Sequence, residues 1–289
     1  MMPHPYSWFL PIGTGWLLLV GGCSTPPKST TNVTRLVEDY YAFRPTEAIP
    51  PDITEAEGRR VQNTFVRLMG ARSDAPAGYK VGLVTQASQQ KYQVSGPVWG
   101  VLFPGMLLDN GASVPAQFGV HPLCEADLAV VVKDDAINQA KNVLDVARHL
   151  SHVVAFIELP DSIIATNLPV TGAMITAANV GARLAIVGQR AVMEPTAEFV
   201  ASMATMSVTM KDQDGNILGR GKGSDILDHP LHSVLFLNEE LHRAGQELKA
   251  GDLISLGGIN MITPQSGQTI TVVYEGLAAG MISASVQFQ

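Results

Sequence analysis

Glu125-Ala126-Asp127 opens an apolar run, Leu128-Ala129-Val130-Val131-Val132. Side chains alternate along a strand, so the two acids face the same way. Two like charges at that spacing repel unless a cation lies between them. A third acid, Glu158, ends another apolar run, Val153-Val154-Ala155-Phe156-Ile157. Three carboxylates at strand ends make an all-oxygen donor set suited to Mg²⁺ or Mn²⁺. Acids at strand ends are also often simply solvated, and spacing alone leaves both readings open. Lys80 lies within Gly78-Tyr79-Lys80-Val81-Gly82-Leu83. A lysine among small and apolar residues can sit partly buried beside a metal and stabilise charge or move a proton. It can equally be a surface lysine on a strand edge. Asn179 and His229 are further polar residues in small-residue contexts, and His229 directly precedes Pro230, where it can cap a helix.

The elements that must carry these residues read as a few helices among many short strands. Thr54 to Ala71 is predicted helical: Val61, Phe65, Leu68 and Met69 form one stripe, and Thr54 with Glu57 makes a capping box. A second helix is expected over residues 137–150, with Val143, Val146, Ala147 and Leu150 inward. Pro230 to Ala244 is a third, with Pro230 in its first turn and Gly245 as its stop. Strands are expected over Asp127–Lys133, Val153–Leu159, Arg183–Gly188, Met206–Asp212, Leu253–Leu256, Ile270–Tyr274 and Met281–Phe288. Asp214-Gly215-Asn216 turns the chain back into Ile217-Leu218. Strands without regular helix alternation point to an α+β fold with a mixed sheet rolled on itself.

The chain has 289 residues, a hydrophobic share of 46% and a charged share of 16%. That balance supports a packed core and argues against disorder. The net charge of −7, without a long basic run, argues against nucleic acid as the main partner. An acidic substrate would therefore need a local cation to hold it. The two cysteines are Cys23 and Cys124. Cys23 follows Trp16-Leu17-Leu18-Leu19-Val20-Gly21-Gly22 and precedes Ser24-Thr25-Pro26-Pro27, a pattern similar to a bacterial lipoprotein signal with an acylated cysteine. No Lys or Arg stands before it, and an uncleaved apolar tail is the alternative. On the lipoprotein reading, residues 1–22 are a signal peptide, 23–33 a flexible tether and 34–289 the catalytic domain. The protein is then expected in the cell envelope, lipid-anchored on the periplasmic face of the outer membrane. Without the signal it is cytoplasmic. With Cys23 acylated, Cys124 remains a thiol.

The blocks also occur in a telling order. Gly78-Tyr79-Lys80-Val81-Gly82-Leu83, Pro97-Val98-Trp99-Gly100, Glu125-Ala126-Asp127-Leu128-Ala129 and Ile157-Glu158-Leu159-Pro160-Asp161-Ser162 are followed by Gly223-Ser224-Asp225-Ile226-Leu227-Asp228-His229-Pro230-Leu231 and Ala250-Gly251-Asp252-Leu253-Ile254. This series resembles the 2-keto-4-pentenoate hydratase and 4-oxalocrotonate decarboxylase family, part of the fumarylacetoacetate hydrolase superfamily. The resemblance covers about residues 34–289. It implies a mixed β-sheet roll of the fumarylacetoacetase C-terminal type with an N-terminal helical section. It also implies a divalent metal, Mg²⁺ or Mn²⁺, held by Glu125, Asp127 and Glu158, with Lys80 as the active-site lysine and Asn179 and Asn260 near the substrate. The implied activity is a hydro-lyase adding water to a small unsaturated 2-oxo acid, with homo-oligomer formation common in the family. Related decarboxylation or C–C hydrolysis, and an inactive envelope protein that binds an oxo acid, are the alternatives. Four positions depart from the family pattern: Asp127 for glutamate, Ser95 for an acid, Ala178 for aspartate, and Gly257-Gly258-Ile259-Asn260 for Gly-Ser-Leu-Thr.

Overall fold

A computed structural model describes residues 31–289. The expected signal peptide (1–22), Cys23 and most of the tether lie outside the described residues. The first helix, α1 (Val33–Tyr41), is capped by Asn32 at the end of that tether. It packs on α2 (Glu55–Gly70), where the Thr54–Glu57 capping box forms and Phe65 and Met69 are buried. There follow β1 (Gly78–Gly82), α3 (Gln86–Tyr92), β2 (Val98–Leu102), β3 (Leu107–Asp109), β4 (Ser113–Val114) and β5 (Cys124–Val132). The chain continues through α4 (Val143–Arg148), β6 (Leu150–Leu159), α5 (Gly172–Ala177), β7 (Leu184–Val192), α6 (Ala197–Thr205), β8 (Ser207–Lys211) and β9 (Ile217–Lys222). It ends with α7 (His232–Arg243), β10 (Leu253–Ser255), β11 (Asn260–Ile262), β12 (Thr269–Glu275) and β13 (Ile282–Phe288).

The helix expected over residues 137–150 is broken. A 3₁₀ turn over Asp135–Gln139 comes first, and α4 starts afresh at an Asn142 cap. The Asn138 side chain binds the Leu248 carbonyl and amide, which ties the turn to the loop before β10 and stops it propagating. Leu150 belongs to β6. The third expected helix begins two residues after Pro230, and Gly245 takes the left-handed conformation that ends it.

Two sheets make the core. The larger runs β2-β1-β10-β5-β6-β7-β3, with β11 pairing the other end of β5 beyond β10. The smaller runs β4-β13-β12-β8-β9. Strands β5 and β6 are apolar on nearly every residue because both their faces are covered. Strands β12 and β13 alternate, with Ile270, Val272, Tyr274, Ile282, Ala284, Val286 and Phe288 buried. They pack over β6 and β7. The Tyr274 hydroxyl reaches between the strands of the other sheet to the carbonyls of Asp127 and Phe156. Parallel and antiparallel pairs are mixed, β1 with β10 being parallel and β5 with β6 antiparallel. No helix among the described residues is long and apolar enough to cross a membrane.

Candidate functional site

The register of β5 against β6 places Glu125 directly opposite Glu158 and Asp127 opposite Phe156. Two carboxylates thus meet across one strand pair, at the end of β5 where β10 has given way to β11. Lys80 on β1 forms an ion pair with Glu158 Oε1. In strand order β1 and β6 are separated by β10 and β5. Three strand spacings of about 4.8 Å, with Lys80 in register with Val154 four residues short of Glu158, would leave about 19 Å between them in a flat sheet, beyond the combined reach of a lysine and a glutamate. The contact therefore requires the sheet to curl, which is the roll expected from the strand pattern.

These three side chains line one end of a cavity of about 760 Å³. Lys80 is 3% exposed. Its ammonium also donates to the Val180 carbonyl at 2.8 Å. That carbonyl is presented by a strained turn: Asn179, Val180 and Gly181 all have positive φ, at 55°, 54° and 65°. A β-branched residue in that region is a true outlier and persists only where its surroundings enforce it. The enforcing contact is the Asn179 side chain. Its Oδ1 accepts from the Val101 amide at 2.8 Å and its Nδ2 donates to the Val101 carbonyl at 2.9 Å. Asn179 is fully buried, bonded to the edge strand β2, and does not line the cavity. In this structure the Asn179 side chain acts as a clamp that positions Val180 and, through it, Lys80.

Asp127 is likewise held aside. Its Oδ1 accepts from the Leu128 and Gly257 amides at 2.6 and 2.9 Å, and its Oδ2 from the Ser255 hydroxyl at 2.6 Å. It is fully buried and does not line the cavity. Among the described residues, no group of three or more His, Cys, Asp or Glu side chains is gathered closely enough to hold a metal ion. The structure sets Glu125 opposite Glu158, with Asp127 within reach of both charges and bonded to Ser255 and Gly257. Its arm, one methylene shorter than glutamate, is taken up by Ser255 and Gly257.

The electrostatics follow from crowding. Burial first, then the Glu158 charge, lifts the Glu125 carboxyl from 4.5 to about 7, with Lys80 opposing. Burial also lifts the Asp127 carboxyl well above its usual range, assisted by Glu158 and opposed by the Ser255 and Gly257 hydrogen bonds. Glu125 and Asp127, lifted first by burial and then by a neighbouring carboxylate, mark a site short of positive charge. A hard divalent cation fits what is present. Both facing donors are carboxylate oxygens, with Glu158 Oε1 shared with the Lys80 ammonium. Space is also kept for the Glu125 carboxylate, since a Cβ on Gly258 would stand 2.4 Å from Glu125 Oε2. Glu125 and Glu158 are the residues that would hold such an ion.

Asn260, on β11, lines the cavity, and its buried Nδ2 has no hydrogen-bond partner. It packs against the glycines of β9, where a Cβ on Gly219 would come within 2.8 Å of Asn260 Cγ. Ser95 is exposed and away from the cavity. His229 accepts from the Leu231 amide through Nδ1 and meets the Val200 carbonyl through Nε2, which is the helix-entry role. Among the described residues, no histidine lines the cavity. Cys124 is a buried free thiol. Sequence reasoning missed the Val180 carbonyl, Ser255 and the use of Gly258. Only the Gly257-Gly258 pair gave a visible signal.

Searched against models of known protein families, the chain matches none. Individual relatives are clear. The chain is 30% identical over 226 residues to a 2-keto-4-pentenoate hydratase of Paraburkholderia phymatum, covering 78% of this chain and 83% of that protein. It is 30% identical over 236 residues to a 4-oxalocrotonate decarboxylase of Pseudomonas putida, covering 81% and 86%. The solved 4-oxalocrotonate decarboxylase from Pseudomonas putida G7, complexed with magnesium and adipate, superposes with a TM-score of 0.78 at 27% identity, over 89% of this chain and 95% of that one. A fumarylpyruvate hydrolase from Pseudomonas aeruginosa shares the fold at a TM-score of 0.53 and 15% identity. From an ordered set of sequence blocks, a rolled sheet that brings Lys80, Glu125 and Glu158 to one cavity, and relatives matched over most of their length, the chain belongs to the 2-keto-4-pentenoate hydratase and 4-oxalocrotonate decarboxylase family.

Proposed function

We propose that this protein is a divalent-metal-dependent hydro-lyase that adds water to a small unsaturated 2-oxo acid. The carrying observation is the convergence of Lys80, Glu125 and Glu158 at one end of an otherwise largely apolar cavity. Glu125 and Glu158 would hold Mg²⁺ or Mn²⁺. Asp127, the third acid, adds negative charge behind them through its bonds to Ser255 and Gly257. The ion, when bound, supplies Lewis acidity toward a 2-oxo group. Lys80, fixed by Val180 and Glu158, neutralises negative charge building on the substrate and holds a proton at its Nζ. Asn260 offers an unpartnered amide donor to a substrate oxygen.

C–C hydrolysis with a histidine base positioning a water finds less support, since among the described residues no histidine lines the cavity. Hydration is tested by the ultraviolet absorbance of 2-hydroxydienoic acids, with Mg²⁺ or Mn²⁺ and with chelator. Metal-dependent loss of the dienol band supports it, and no change across the panel refutes it. We further infer, from Leu17–Gly22 before Cys23, a lipid anchor at Cys23 and an envelope location. Retention of the protein in the membrane fraction, lost on Cys23→Ser, tests that inference. Assembly into a homo-oligomer is inferred from the family likeness and is tested by sedimentation velocity.

A further inference from the structure

The size and charge of the cavity say more about the substrate than the carboxylate end does. At about 30 Å³ for each water-sized heavy atom, an acid of eight non-hydrogen atoms such as 2-keto-4-pentenoate fills roughly 240 Å³. That is about a third of the 760 Å³ of this partly open cavity. The remaining wall includes Val84, Leu123, Ile163, Ile164, Val170 and Ile175. The polar side chains away from the carboxylate end offer little to an anion. Thr85 and Ser88 are engaged in capping α3. Ser162 is neutral.

The cations are similarly committed. Lys80 is paired with Glu158. The Asp161 carboxylate, at the wall, is held by Arg183 at 2.7 Å and by the Val120 and His121 amides. This leaves Lys91, which is exposed at the end of α3 and stands 4.9 Å from the Tyr92 ring. An exposed ammonium in water is a weak partner for a carboxylate. A second carboxylate on the substrate would lose its hydration against aliphatic side chains, near Asp161 and without a buried counter-charge.

We propose that the cavity takes a 2-oxo acid whose far end is an uncharged apolar chain longer than that of 2-keto-4-pentenoate, and that it discriminates against a terminal carboxylate. The inference rests on the 2-oxo acid chemistry proposed above. Binding of saturated, unreactive acids to the Mn²⁺-loaded protein is the test, measured by calorimetry. Each added methylene should tighten binding about fourfold, so 2-oxohexanoate should bind at least tenfold tighter than 2-oxobutanoate. The six-carbon diacid 2-oxoadipate should bind at least tenfold more weakly than 2-oxohexanoate. Val170→Arg, which places a cation on the apolar wall, should narrow or reverse that last gap. Pyruvate binding with no gain on lengthening, or 2-oxoadipate binding as tightly as 2-oxohexanoate, overturns the inference and leaves the proposed function standing. Failure of pyruvate and oxalate to bind in a metal-dependent way overturns the proposed function and this inference with it.

Discussion

Gly258→Ala perturbs the site without removing a functional group. The added Cβ would stand 2.4 Å from Glu125 Oε2 and 3.1 Å from its carboxyl carbon. Ordinary van der Waals contact begins at 3.4 Å, so the carboxylate oxygen must retreat by about 1 Å. Gly258 does not have the positive φ that would make alanine strained, and the obstructing atoms are the end of a flexible side chain. The fold should therefore survive with little change in Tm. The site should not, because misplacing a reacting or binding group by 1 Å costs on the order of 100-fold. The variant is expected to bind Mn²⁺ roughly 10- to 100-fold more weakly, about 1.4–2.7 kcal/mol, and to lose metal-dependent turnover in proportion. Gly105→Ala, where a Cβ meets nothing within 4 Å, is the control and should leave both unchanged. Calorimetric titration of Mn²⁺ with a thermal melt on the same samples reads both quantities. Unchanged metal affinity in a folded Gly258→Ala protein would refute the claim that this glycine keeps space for the Glu125 carboxylate, and with it the place of Glu125 at the ion.

Lys80→Ala leaves Glu158 buried without its partner, so Tm should drop by an amount corresponding to about 3–5 kcal/mol and turnover by more than 100-fold. Mn²⁺ affinity should hold or improve, since Glu158 is released, and an equal loss of binding and rate would contradict a catalytic role. Asn179→Ala removes the clamp on Val101 and leaves two buried backbone groups unpaired. We expect about 2–4 kcal/mol of destabilisation and a lower kcat as Val180 relaxes away from Lys80; a raised KM with kcat intact would restore the substrate-contact role instead. The metal-free protein should lose stability as pH rises. The Glu125 carboxyl is lifted from 4.5 to about 7, so between those values the folded state binds more protons than the unfolded one. Its contribution is fully present below about pH 4.5 and lost on passing through about pH 7. Mn²⁺ competes with those protons, so the Tm gain on adding it should be larger at pH 8 than at pH 5.5; the opposite trend in melts with and without chelator would count against a carboxylate site.

The sequence alone determined what local physics can determine. The Thr54–Glu57 box fixes the start of α2 because a cap needs only residues three apart. The β5 and β6 runs are apolar because both faces are covered, and their acidic ends stand out for the same reason. Alternation put Glu125 and Asp127 on one face. It could not show that Ser255 and Gly257, about 130 residues further on, would claim the Asp127 carboxylate while Glu125 stays free. Nor could it separate Asn179 as a substrate contact from Asn179 as a clamp, because its partner is the backbone of Val101, reached only when β2 lies alongside. The same holds for Lys80: its neighbours in sequence are small and apolar, which says buried, but its partner Glu158 sits three strands away in order. Only the curl of the sheet closes that gap. Short-range patterns decide which residues are strand, helix and acid. The closure of the roll decides which of those acids share a cavity with a lysine, because that depends on register and curvature accumulated over several strands.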